Sequence, residues 1–514
     1  MVLPPLAAAA SSLASLASLA SGECGAALAA TGCVASVASC DVCVDRHQHT
    51  LRAAGCTDAA VRTWCTASDA STLEGKVLFG YQGWFDAAGS GSPNGDGKGA
   101  WVHWSGRTGP NATRPGSDCT FDLWPAMSEY ADQFPTPGLR SRAAGGAALS
   151  LFSDFSASTQ DVHFRWMKEY GLDGVFVQRF VNELEHGSPT FKDAVLTHAL
   201  RAAERNGRIV SIMYDISGAD ESLWAETILR DWQHLINDLN VTKSPSWIHH
   251  EGKPVLAIWG IGFTQHPGTP ESSLKLLQQL RAITPITFVG GVPTHWRKCT
   301  GDSKPGYDKV YSSMDVLSPW LVGRYGDDAG FDSNMKNIFV EDSQQLNQEK
   351  LGYAPVVFPG FSWSNMMRTR KQPPSAFNKI PRRAGKFWSH QAEGFAGMPH
   401  QPVFLYAAMF DEVDEGTAMF KAASTIEETP AAPAQFLYLS VDGTSVPSDF
   451  YLSLAGNFTA KWRGQHIAPP ANASAAAAAA AEWGEAEWSE SYDVARSLTE
   501  HKLAARLSAL EESE

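Results

Sequence analysis

The sequence predicts a (β/α)8 barrel with a small N-terminal disulfide-rich module and a helical or disordered C-terminal tail. Three observations carry that prediction. Eight short aliphatic runs recur between residues 71 and 463. Segments of helical apolar spacing alternate with them, and strands alternating with helices imply a parallel sheet. The runs are also nearly continuous in apolar residues, as strands covered on both faces must be.

Taken in order, the strand runs are "KVLFGYQGW", "DGVFVQRF", "RIVSIMYDIS", "KPVLAIWGIGF", "PITFVGGVPTHW", "MDVLSPWLVGRY", "APVVFPGFSW" and "PVFLYAAMFDE". The long interval after the first contains "ALSLFSDF", which reads as a further strand. Helices are expected over "STQDVHFRWMKEYGL", "KDAVLTHALRAAERNG", "ESLWAETILRDWQHLINDL" and "PESSLKLLQQLRAI". The first two close on Gly171 and Gly207, where a helix C-terminus favours a residue without a Cβ.

The residues at the C-terminal end of each strand are more telling than the strands themselves. Tyr81, Gln82 and Trp84; Gln178 and Arg179; Tyr214 and Asp215; Trp259; His295 and Trp296; Trp320; Trp363; and Asp411 all stand at predicted strand ends. In a (β/α)8 barrel those ends converge on one face, where active sites of this fold are built. Polar residues are ordinary in loops, but repeated Trp, Tyr and Arg are not. For Arg179 and Asp215 a structural ion pair at the barrel rim is the competing expectation.

After the eighth run the chain turns abruptly acidic, with Asp411, Glu412, Asp414 and Glu415 within five positions. Four carboxylates so close cannot all remain ionised if partly buried, so at least one should retain a proton. Asp411 and Asp414 are expected to support the loop, by bonding to backbone or capping a following helix. Together "GYQGWF", "HFRWMKEYGLDGVFVQRF", "SIMYDIS", "KPVLAIWGIGF" and "MFDEVDEGTAMF" resemble glycoside hydrolase family 71/99-like proteins, over roughly residues 74 to 430. The Glu-x-x-Glu-Gly-Thr frame of Glu412 to Thr417 is similar to the end of the family 99 endo-α-mannosidase barrel. That resemblance implies that Glu412 deprotonates a sugar 2-hydroxyl and that Glu415 is the general acid/base. Where family 99 has Asn, Trp and His around its glutamates, this chain has Asp411, Val413 and Asp414. The remaining strand-end residues would then contact a glycan or polysaccharide.

Composition narrows the partners. A formal net charge of -14 and the lack of a long Lys/Arg block argue against nucleic acid and anionic membranes. Seventeen tryptophans suit stacking against flat, weakly polar faces such as sugar rings. The chain has no P-loop, dinucleotide fingerprint or His-Glu-x-x-His motif, so neither a cofactor nor a metal is expected.

Six of the eight cysteines, Cys24, Cys33, Cys40, Cys43, Cys56 and Cys65, crowd into residues 23–70. Such clustering reads as a disulfide framework formed in an oxidising compartment, with a zinc knuckle at "CDVC" as the competing assignment. Cys119 and Cys299 follow the first and fifth strands and are expected to bridge two loops. Residues 1–22 form a leader rich in Ala, Leu and Ser that lacks a basic start, and no later run is long enough for a confident membrane span. With sequons at Asn111, Asn240, Asn457 and Asn472, these features point to a secreted or secretory-pathway glycoprotein, whether extracellular, wall-associated or in the Golgi lumen. Residues 464–514 read as an Ala-rich linker and charged tail, leaving 71–463 as the hydrolase-like barrel. Two other functions compete: a barrel that binds carbohydrate without turnover, and a wall or matrix protein acting through its Cys-rich module.

Overall fold

The structure, a computed structural model, describes residues 67–464 apart from 107–114, 117, 144–145, 187–188, 374 and 432–433, together with 23–31, 44, 47–57 and 61. Its centre is a parallel, barrel-like sheet. The strands are β1 (Lys76–Tyr81), β2 (Gly174–Phe180), β3 (Ile209–Asp215), β4 (Lys253–Trp259), β5 (Thr287–Val292), β6 (Val316–Pro319), β7 in two pieces (Gly352–Tyr353 and Val356–Val357) and β8 (Phe404–Ala407). Neighbours in the sheet are neighbours in the chain, and β1 also pairs with β8 through Lys76↔Phe404 to Phe79↔Ala407. The first piece of β7 pairs with β6 and the second with β8. Between them Ala354 N donates to Leu317 O at 2.8 Å and Tyr406 N donates to Pro355 O at 3.0 Å, so the ring returns on itself through β7.

The strand residues explain this arrangement. Val77, Phe79, Phe176, Val210, Ile212, Leu256, Phe288, Leu317 and Phe404 are all buried. Burying one such side chain stabilises the fold by about 1.5–3 kcal/mol, and both faces of every strand find cover. Helices α1 (Ala157–Glu169), α2 (Pro189–Asn206), α3 (Trp224–Asn237), α4 (Pro270–Ile283), α5 (Val340–Glu349), α6 (Lys386–Ala396) and α7 (Phe450–Trp462) belong to the outer layer. The start of α4 is written locally: Pro270 opens its first turn, Thr269 Oγ1 accepts from Ser272 N at 3.2 Å, and Ser272 Oγ accepts from Thr269 N at 2.8 Å.

Some expectations need correction. "ALSL" is a strand, Ala148–Leu151, but it pairs antiparallel with Phe134–Arg140 as a hairpin outside the barrel. That hairpin belongs to the long excursion between β1 and β2, which reaches back over the barrel end: Asp122 N and Leu123 N both donate to Val413 O at 3.1 Å. The expected Cys119–Cys299 bridge is absent, and both thiols are free. Cys119 is buried under this excursion, where its carbonyl accepts from Thr369 Oγ1 at 3.1 Å, whereas Cys299 follows β5 and its Sγ donates to Trp296 O at 3.5 Å.

In the N-terminal module Cys24 and Cys56 form a disulfide. Cys33, Cys40, Cys43 and Cys65, the leader and the tail beyond 464 lie outside the described residues. The barrel unit takes in a little chain before residue 71, since Ser68 N donates to Gly207 O at 2.9 Å and Ser68 Oγ to Asp173 Oδ1 at 3.0 Å. The same Asp173 oxygen accepts from Arg463 Nη1 at 2.8 Å, fastening the chain after α7. Among the described residues no helix is long and apolar enough to cross a membrane.

Candidate active site

The acidic loop after β8 is the best-fastened part of the barrel mouth. Asp411 is fully buried, and its two oxygens accept from Gln82 N at 2.8 Å and Gly83 N at 2.9 Å. Gly83 has φ +52 and a Cβ there would stand 2.8 Å from Val195 Cγ1, so this turn needs glycine. Gly416 has φ +63 against the backbone of Ser362, and Arg382 Nη2 donates to Gly416 O at 2.8 Å and Ala418 O at 2.6 Å. The loop is therefore held from the β1 side, the β7 side and beneath.

The two glutamates differ within this frame. Glu412 is buried, and its Oε1 accepts from Gln82 Nε2 at 2.8 Å and its Oε2 from Thr417 Oγ1 at 2.9 Å. Glu415 is half-buried, and among the described residues its carboxyl has no hydrogen-bond partner. Burial, then the charges of Glu415 and Asp414, raise Glu412 well above the ordinary carboxyl range. Burial and Asp414 push Glu415 up to about 7, with Arg370 opposing. Burial likewise pushes Asp411 up to about 7. Asp414 caps no helix, as no α-helix comes directly after the loop; its Oδ2 lies 3.3 Å from His103 Nδ1.

Opposite the acidic loop, Gln178 Nε2 donates to Tyr406 OH at 2.9 Å. The Tyr406 hydroxyl feels the charges of both Glu412 and Asp215, so β2, β3 and β8 present these groups to one interior space. Asp215 Oδ1 accepts from Ser217 N at 2.8 Å, and burial pushes this carboxyl up to about 6. Part-exposed aromatics line the rim: Trp84 stacks on His103 at 3.8 Å, Trp259 meets Trp320 edge-on at 5.2 Å, and Trp363 Nε1 donates to Ser375 Oγ at 2.8 Å. Gln82, Trp84, Gln178, Asp215, Trp259, Trp320, Trp363, Glu412 and Glu415 thus all stand at strand ends on the mouth side.

Other predicted site residues do not reach the mouth. Tyr81 points outward beneath α1, its hydroxyl 2.8 Å from His163 Nδ1. Arg179 is fully buried and bonded to Asp231 of α3 and Asp193 of α2, and Tyr214 OH donates to Asp231 Oδ2 at 2.6 Å. Trp296 is buried with Nε1 donating to Asp342 Oδ2 at 3.2 Å, and His295 is engaged with Asp302 at 2.8 Å. Asp411 is a clamp rather than a substrate contact, since both its oxygens are taken by backbone. Tyr406 and His103 stand beside the predicted residues and Asp122 clamps the loop after β7, and the sequence pattern did not single out any of the three. Tyr406 was readable, lying two residues beyond Phe404 on the same inward face; Asp122, whose oxygens accept from Ser364 N and Asn365 N at 2.8 Å, lies in a loop with no periodic signal.

Among the described residues no group of three His, Cys, Asp or Glu side chains is placed to hold a metal ion. Among solved structures, the chain is similar to the family 99 (GH99) endo-α-mannosidase from Bacteroides thetaiotaomicron, with TM-score 0.53 and 15% identity over 77% of this chain and 100% of that one. The chain has a family 99-like fold. The same enzyme in complex with bis-tris-propane matches with TM-score 0.52 and 15% identity over 76% of this chain and 98% of that one. No family model and no curated protein matches the sequence.

Proposed function

We propose that the protein is a glycoside hydrolase acting on a glycan or polysaccharide, with Glu415 as general acid/base and Glu412 as the base at the sugar 2-hydroxyl. The observation that carries this is the contrast between the two glutamates. Burial raises both, but both Glu412 carboxyl oxygens already accept from donors while the Glu415 carboxyl accepts from none among the described residues. Glu415 is therefore the member of the pair left free to meet a substrate oxygen, and a group titrating near 7 can give and recover a proton at neutral pH. Glu415 would protonate the glycosidic oxygen as its bond to C1 breaks. Glu412 would take the 2-hydroxyl proton as that oxygen closes on C1. When water then attacks C1, Glu415 would take a proton from the water and Glu412 would return its proton to the 2-oxygen as the C1–O2 bond breaks. Trp84, Trp259, Trp320 and Trp363 offer stacking faces, and Gln178 and Asp215 offer partners for hydroxyls. The similarity to an endo-α-mannosidase favours this chemistry over carbohydrate binding without turnover.

We place the protein in the secretory pathway or outside the cell, because the Cys24–Cys56 bridge fits an oxidising compartment, and take the barrel as the catalytic unit. A hydrolysis screen over glycans and polysaccharides, with product NMR on the secreted fraction of the host, tests both statements. Glu415→Gln and Glu412→Gln are each expected to lower turnover by about 100- to 10,000-fold while glycan binding persists. Full activity in Glu415→Gln removes the assigned acid. Binding without any released reducing end in the wild type selects the binding-protein reading instead.

A further inference from the structure

His103 lies in the excursion between β1 and β2 and is built into the mouth with unusual firmness. Its backbone takes φ +60, a conformation that costs a non-glycine residue energy. Thr120 Oγ1 donates to its carbonyl, its ring lies flat on Trp84 at 3.8 Å and 6° between planes, and Phe85 meets it edge-on. Held this way, the ring reaches two carboxylates from different elements. Nδ1 is 3.3 Å from Asp414 Oδ2 in the β8 loop, and Nε2 is 4.0 Å from Glu183 Oε1 in the helix Val181–His186 after β2. Lys192 Nζ, from α2, stands 2.7 Å from the other Glu183 oxygen.

Asp414 is nearly fully buried at 1% exposure, and among the described residues its Oδ1 has no hydrogen-bond partner. A buried carboxylate with one bare oxygen persists only where its other oxygen is well held. Among the described residues His103 supplies that hold.

We propose that His103 is a positioning residue for the carboxylates after β8: it fixes Asp414 beside Glu415, so that the excursion after β1 governs the acid of the reaction. The charged groups that face this array are few. Asp411, Glu412 and Asp414 face one another and Glu415 on the loop itself, Arg370 faces Glu415 from the chain after β7, and Glu183 with Lys192 faces His103 from the β2 side. Of these, Asp414 is the like charge that acts most on Glu415. Its negative charge disfavours ionised Glu415, and its loss lets Glu415 ionise at lower pH. The catalytic consequence rests on the proposed hydrolase reading; the electrostatic one does not.

The test is carbon-13 NMR titration of side-chain-labelled glutamate in the full chain, with the Glu415 signal assigned through Glu415→Gln. Asp414→Asn is expected to lower the Glu415 midpoint by about one pH unit, which leaves about fivefold less protonated Glu415 at pH 7. His103→Phe keeps the stacking on Trp84 but removes the donor, and should shift the midpoint in the same direction. His103→Asn, whose amide can stand in for Nδ1, should restore it. In the double variant His103→Phe with Asp414→Asn, the histidine change should add nothing, because it acts through Asp414. If the alkaline limb of kcat/KM follows the same order, the coupling reaches the reaction. A Glu415 midpoint that moves in Asp414→Asn but not in His103→Phe overturns the role of His103, and one that moves in neither overturns the whole proposal. A wild type that hydrolyses no glycan removes the proposed function, while the titration result stands by itself.

Discussion

At the scale of single residues, the acidic loop shows that one side-chain chemistry takes different duties from its neighbours alone. Asp411 and Glu415 both titrate near 7, and burial is the largest cause for each. Yet Asp411 spends both oxygens on the backbone N–H groups of Gln82 and Gly83, whereas the half-buried Glu415 carboxyl has no hydrogen-bond partner among the described residues. Asp411 therefore holds the turn after β1, and with it Gln82 against Glu412. Asp411→Asn keeps one acceptor and turns the other into a donor facing an N–H. It is expected to cost about 1–3 kcal/mol of stability. Because Gln82 loosens, turnover should fall as well, with glycan affinity little changed. Urea unfolding alongside steady-state kinetics checks both; unchanged stability would show that Asp411 clamps nothing. The sequence displayed four acids but not this division, because burial and hydrogen-bond partners come from loops far away in the chain.

At the scale of elements, strand alternation sorts the candidates that residue type alone could not. Side chains on a strand point alternately to opposite faces, so Gln178 and Arg179 cannot share a destination, nor can Tyr214 and Asp215, nor Tyr81 and Gln82. In each pair the mouth received one member and the helix layer the other: Gln178 meets Tyr406 inside, while Arg179 lies outside against α2 and α3. The eight strands were legible because their apolar runs are long and regular. Their facing was legible too, given one inward anchor per strand. The excursion after β1 was legible only in its strand Ala148–Leu151, since His103, Asp122 and the partner strand Phe134–Arg140 carry no period. Arg179 is then a brace, bonded to Asp231, with Tyr214 completing the same carboxylate. Arg179→Leu strands Asp231 in an apolar layer and is expected to destabilise the chain by about 3–5 kcal/mol. The KM for any hydrolysed glycan should stay the same. A tenfold rise in KM with unchanged stability would put Arg179 on the substrate instead.

At the scale of the whole molecule, the chain buries several raised carboxyl groups, at the barrel mouth and in the layers around it, and that gives stability an unusual dependence on pH. Asp411 and Glu415 are held near 7, Asp215 and Asp342 near 6, and Glu412, Asp154 and Asp122 also lie above their ordinary range. The unfolded chain releases these protons at about pH 4. Between that point and about 7 the folded chain binds more protons than the unfolded one, so the free energy of unfolding falls as pH rises. His163 opposes this: burial holds it neutral, down to about 3, so below its ordinary range only the unfolded chain takes up its proton. His198, His249, His250 and His266, also lowered by burial, oppose the fall in the same way, while His234, raised against burial by hydrogen bonds to Asp238 and Asp193, adds to it. The seven raised carboxyls outweigh these five opposing imidazoles because several of them are displaced far from their ordinary range. The lowered carboxyls Asp173, Glu183 and Asp302 add stability that is complete above their ordinary range and is lost only at more acid pH, so they do not change sign within this window. The melting temperature is therefore expected to be higher at pH 5.5 than at pH 8, with the slope shallower in Glu415→Gln and Asp215→Asn, each of which deletes one retained proton. Calorimetry across that range at constant ionic strength measures it. A melting temperature that is flat or rises towards pH 8, with a slope unchanged in Glu415→Gln, would mean that Glu415 retains no proton in this range and has none to give at neutral pH.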